Sequence, residues 1–99
     1  MEKFSFILTF LLTLVINANA QLKLDIVDEK GYAIPFANAT YRGHHVSAAS
    51  DIEGSLEIMR REGWTLTISS VGFKEQTVKV NKNTPSAMRI VLREDSKTL

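Results

Sequence analysis

After residue 20, apolar and polar side chains alternate along almost the whole chain, and no helical period holds over a useful window. Leu22, Leu24 and Ile26 alternate with Lys23 and Asp25, which predicts a first strand ending near Asp28. Asp28-Glu29-Lys30-Gly31 has the residues of a turn, with Gly31 free to take positive φ. Pro35 has no N–H for a ladder, so Ile34-Pro35-Phe36 is expected at an edge or a strand start. Ala37, Ala39 and Tyr41 share one face of the next strand, which Arg42-Gly43 closes. Val46 and Ala48 mark a third strand and Leu56 and Ile58 a fourth, with the turn Ser50-Asp51-Ile52-Glu53-Gly54 between them. Arg60-Arg61-Glu62-Gly63 turns the chain into the strongest alternation of all, Trp64, Leu66 and Ile68 against Thr65, Thr67 and Ser69. It is expected to be a central strand. Val71-Gly72-Phe73 breaks the parity, and a Gly at such a break predicts a bulge, or a bend where the chain changes sheet or direction. Val78 and Val80 belong to a sixth strand. Met88, Ile90 and Leu92, after the loop 81–85, belong to a seventh.

Seven short strands with turns every 8 to 12 residues or so predict an all-β fold, a seven-stranded antiparallel β-sandwich in which each sheet keeps one dry face and one wet face. The domain is expected over 21–93. The polar stretch 94–99 lacks an apolar face and is expected to be a tail or linker.

Residues 1–20 have a different pattern. Lys3 and the amino terminus make a short positive region, 4–16 is an apolar run, and Ala18-Asn19-Ala20 presents small residues at the spacing of a secretory cleavage site. The run is shorter than the ~20 residues a spanning helix needs. A signal peptide cleaved between Ala20 and Gln21 is therefore expected, and with it export from the cytoplasm.

Composition narrows the function. The chain has no Cys, so an exported domain of this size must hold itself together by sheet packing alone, without disulfides or a lipid-modified cysteine. Its formal net charge is +1, which gives no general attraction to nucleic acid or to a membrane surface.

No constellation in the sequence makes a case for catalysis. His44-His45 is the sole imidazole pair, but neighbouring strand residues point to opposite faces, so a solvated turn is the better reading than a metal site. Asp51 and Glu53 supply too few oxygens for a calcium loop, and turn bonding accounts for Asp51. Ser69 and Ser70 lack a Gly-x-Ser-x-Gly elbow. Trp64 and Phe73 continue an apolar face and are expected in the core, while Arg60-Arg61 is expected in a solvated turn. No catalytic residue, metal ligand or cofactor is predicted.

Four segments in order carry a resemblance: Ile26-Val27-Asp28-Glu29-Lys30-Gly31, Ile34-Pro35-Phe36-Ala37-Asn38-Ala39, Ser50-Asp51-Ile52-Glu53-Gly54, and 66–74, which contains Val71-Gly72-Phe73. Together they resemble the carboxypeptidase regulatory-like domain, a transthyretin-like β-sandwich that recurs at the front of SusC-type TonB-dependent outer-membrane receptors. Asp28, Gly31, Pro35, Ala37, Asp51, Gly54, Val71, Gly72 and Phe73 are the positions that match. The chain departs from the family in its first strand, where a Gly is common, and at Ser70, where an aromatic is common.

The resemblance implies a non-enzymatic periplasmic module. It would correspond to the N-terminal extension of such a receptor, as a fragment or a stand-alone copy, and act in protein–protein contact at the outer membrane. Its partners would be receptor components, with strand addition at a sheet edge one mode of contact and the membrane met only through the receptor. A free-standing secreted binding or adhesion module, for glycan or protein, is the alternative. A transthyretin-related hydrolase is the remote one, since Tyr41-Arg42-Gly43 is similar to that family's tail motif but lies mid-chain.

Overall fold

The computed structural model describes residues 21–95. The expected signal peptide, with Ala18 and Ala20, lies outside the described residues. β1 (Gln21–Asp28), β2 (Asn38–Tyr41), β3 (Ser47–Ala49), β4 (Ser55–Met59), β5 (Thr65–Ser69), β6 (Gln76–Lys79) and β7 (Ala87–Leu92) follow one another in the chain. They form a three-stranded sheet, β4-β1-β7, and a four-stranded sheet, β3-β2-β5-β6. Their inner faces share one core, so the molecule is the β-sandwich that the alternation predicts.

The core follows from that alternation. Leu22, Leu24 and Ile26 of β1 point inward, with Ile58 and Leu56 beside the first two in β4 and Ile90 beside the third in β7. Across from them, Ala39 pairs with Ile68 and Tyr41 with Leu66. All of these are buried. β5 lies between β2 and β6, the interior position expected of it.

Four features differ from the sequence reading. The sandwich is not wholly antiparallel: β7 runs parallel to β1, in a register that places Ile26 beside Ile90. The loop after β6 carries the chain to the other sheet at the end where β1 begins, so β7 must run in the same direction as β1. Alternation records which face a residue takes and carries no information about strand direction. Second, Val27 is buried although its parity is outward. The loop after β1 folds back over it, with a bridge from Val27 to Ala33 and an Asp28 N–H bonded to the Tyr32 carbonyl. Third, Pro35 and Phe36 form a turn, and β2 begins only at Asn38.

Fourth, ordered pairing runs past Arg93. Phe73 bridges Glu94, the Lys74 N–H donates to the Arg93 carbonyl and the Asp95 N–H to the Gly72 carbonyl. This short seam joins the β5–β6 connection of one sheet to the extension of β7 in the other. It is made by backbone groups, which a missing apolar pattern does not reveal.

Val71-Gly72-Phe73 is the turn between β5 and β6. Phe73 donates to the Ser70 carbonyl and Gly72 takes a φ of 87°. Of the outcomes expected at this Gly, the chain changes direction and stays within one sheet.

Candidate functional site

The strand directions bring the loops 28–37, 50–54, 70–75 and 93–95 to one end of the sandwich. The loops 42–46, 60–64 and 80–86 lie at the other. Every matched position from Asp28 to Phe73 therefore falls at or beside a single end, although the positions are spread over half the chain. This convergence depends on topology.

Two of these loops are built alike. In each, an Asp carboxylate oxygen accepts from the N–H groups two and four residues on: Asp28 from Lys30 and Tyr32, Asp51 from Glu53 and Ser55, all at 2.9 to 3.0 Å. In each, a Gly three residues after the Asp donates to its carbonyl and takes positive φ. Asp51 is thus engaged in its turn, and so is Asp28. Gly54 has a further constraint, since a Cβ there would lie 2.5 Å from the Ile26 carbonyl oxygen.

Ser50 fixes the second half of the 28–37 loop. Its hydroxyl accepts from the Ala37 N–H and donates to the Ile34 carbonyl, both at 2.8 Å, while its own carbonyl accepts from the Phe36 N–H. The side chain is buried and fully bonded. The segment it holds contains Phe36, a non-glycine residue with positive φ (59°) whose ring is exposed. A bulky side chain in that region is costly and persists only where its surroundings enforce it.

This end also gathers exposed apolar side chains. Tyr32, Phe36, Ile52 and Val71 are 69%, 71%, 75% and 99% exposed, the first two from the 28–37 loop and the others from 50–54 and 70–75. Pro35, Phe36 and Val71 share a shallow groove with Ser69 and Ser70. Around them the charge is acidic: Asp28, Glu29, Asp51, Glu53, Glu75, Glu94 and Asp95 outnumber Lys30, Lys74 and Arg93. The opposite end reverses the sign, with Arg42, Arg60, Arg61 and Lys82 against Glu62. The near-neutral total conceals a separation of charge along the sandwich.

At the basic end, His44 stacks flat on Trp64, ring centroids 3.5 Å apart and planes within 4°. Tyr41 meets the same indole edge-on at 5.4 Å, and the Arg61 guanidinium sits 5.8 Å from its centroid. Burial pushes the Tyr41 hydroxyl above the usual tyrosine pKa, opposed by its bond from Arg61 N–H and by the Arg60 and Arg61 charges. Trp64 is half-buried, its ring sandwiched between core and surface, so it is less interior than its strand parity predicts. Arg60 is also more than a solvated turn residue: its guanidinium donates to the Asn81 and Thr84 carbonyls at 2.9 and 2.7 Å and holds the β6–β7 loop. Among the described residues, no three of His, Cys, Asp or Glu gather as metal ligands. Ser69 lines an open depression with His44, His45 and Glu75, but no hydrogen bond links its hydroxyl to an imidazole.

Residues 25–99 match the CarboxypepD_reg-like domain. The chain belongs to that family. No curated protein matches it. Among solved structures, it is similar to a chain of a type II cohesin–X-dockerin complex, a C-terminal interface mutant, from Acetivibrio cellulolyticus. The TM-score is 0.52 at 14% identity, over 73% of this chain and 51% of that one. At this identity the likeness concerns the fold, and this chain spans about half the length of the one it resembles.

Proposed function

We propose that this CarboxypepD_reg-like domain is a non-enzymatic protein-binding module. It works in the periplasm as the N-terminal extension of a SusC-like receptor, or a stand-alone copy of one, and contacts receptor components at the outer membrane. The observation that carries the proposal is the convergence of the family's matched positions on one loop end that also exposes four large apolar side chains. Residues spent on turns and exposed apolar tips suit contact with another protein better than they suit chemistry. Family membership supports a binding role. The cohesin–dockerin structure adds that this type of sandwich occurs in a chain of a two-partner complex.

The test is to express the full chain with its own leader in a bacterium that has an outer membrane, treat whole cells with a lysine-reactive cross-linker, and fractionate them. The expected result is processed protein in the periplasm, cross-linked to an outer-membrane receptor component. Recovery from the medium, with no outer-membrane adduct, would overturn the reading in favour of a secreted module.

A further inference from the structure

We infer that the acidic loop end is the docking surface, and that its partner is a protein surface with an apolar centre rimmed by Lys and Arg. The inference deepens the protein-binding reading and rests on it.

Three observations converge here. Phe36 holds a left-handed backbone conformation although its ring makes no use of the core, and the hydrogen bonds of Ser50 to Ile34, Phe36 and Ala37 enforce that placement. A strained, outward-facing aromatic is explained by what it touches outside the domain. Val71, at the tip of the β5–β6 turn and almost wholly exposed, lines the same groove, and Ile52 and Tyr32 stand on the adjoining turns. The rim of carboxylates around these residues selects the occupant. It repels anionic lipid and nucleic acid and attracts a cationic rim.

A second copy of the chain would offer its basic end, but among the described residues Met59 is the one large hydrophobic exposed there, at 43%. It cannot match four apolar tips. Two of the sheet edges are also restricted near this end: β3 has three residues, and the seam between 72–74 and 93–95 ties the β6 side to the β7 side.

The test uses the full chain and two synthetic amphipathic peptides with identical Leu and Phe positions, one carrying Lys at its polar positions and the other Glu. Binding is followed by NMR amide shifts at low and high salt. The Lys peptide is expected to bind, to weaken with salt, and to shift the amides of 34–36, 51–53 and 70–73. Val71→Ser and Phe36→Asn should each weaken it by about tenfold. Asn tolerates the left-handed conformation, so Phe36→Asn should leave the thermal midpoint unchanged or raised while binding falls, which a structural role for the ring would not produce.

Equal binding of the two peptides, no binding of either, or shifts confined to the Arg42, Arg61 and Lys82 end would overturn the inference. So would concentration-dependent self-association abolished by Arg61→Glu. A receptor cross-link that survives Val71→Ser and Phe36→Asn would sink this surface while leaving the protein-binding reading intact.

Discussion

The Tyr41 hydroxyl donates to the Met59 carbonyl oxygen, so a buried side chain of β2 in one sheet holds the last residue of β4 in the other. The Tyr41 hydroxyl in turn accepts from the Arg61 N–H at 3.3 Å and so also fixes the start of the turn into β5. One phenol thereby fastens the two sheets at the basic end, as the seam of 72–74 with 93–95 does at the acidic end.

Stability should therefore depend on alkaline pH through Tyr41. Its folded pKa is raised above the usual 10.0, so the folded state holds the phenolic proton more tightly than the unfolded chain does. The resulting stabilisation is fully present below about pH 10 and is lost as pH rises through the folded value. Tyr41→Phe should cost about 1–3 kcal/mol near neutrality by leaving the Met59 carbonyl without its donor. Urea midpoints measured from pH 8 to 11 or so should fall more steeply for the parent than for Tyr41→Phe. Parallel curves would show that the phenol is not the titrating link.

Gly54 and Gly31 occupy equivalent places in the two Asp-x-x-Gly turns, and replacing each by Ala separates conformation from contact. Both have positive φ, which costs an L-residue about 1–2 kcal/mol. Nothing lies within 4 Å of a Cβ at Gly31, whereas at Gly54 it meets the Ile26 carbonyl oxygen of β1. Gly54→Ala should thus be the worse by about 1–3 kcal/mol, since backbone cannot move aside without disturbing the Ile26 N–H bond to the Gly54 carbonyl. Equal denaturation midpoints would mean that the approach of the two strands is looser than described.

Ser50→Ala removes the partner of two backbone groups, the Ala37 N–H and the Ile34 carbonyl, in a site closed to water. The expected loss is about 1–3 kcal/mol. Hydrogen exchange should locate it, with the Phe36 and Ala37 amides gaining exchange before the amides of β1 and β4 do. A uniform increase across the sandwich would place Ser50 in the global core instead of in the loop that holds Phe36.

The strands were legible because alternation and turn chemistry are local. Asp28, Gly31, Asp51 and Gly54 announce their turns in sequence, and both turns form with the same bonds. What alternation leaves out is relative direction and what covers an outer face, hence the parallel β7 and the buried Val27. Arg60 was opaque for a related reason, since its partners are carbonyls more than twenty residues away. The gathering of the matched turns at one end, and the sorting of charge between the two ends, require the order in which the chain changes sheets. No stretch of sequence contains that order.

Ile68 and Trp64 share the same parity in the β5 region, yet truncating the smaller side chain should cost more. Ile68 is fully buried and pairs with Ala39, whose methyl cannot fill the space, so Ile68→Ala should lose about 2–5 kcal/mol. Trp64 is half-buried, and its indole lies between Tyr41 on the core side and His44 and Arg61 on the outside. In Trp64→Ala the space it leaves is open to water, and the loss is its aromatic contacts, about 0.5–1.5 kcal/mol for each pair. Equilibrium urea unfolding followed by circular dichroism serves for both variants, because removal of the one tryptophan eliminates the fluorescence signal. If Trp64→Ala proved the more destabilised, the centre of the core would lie at the basic end, beneath the indole, and not across the Ala39–Ile68 pair.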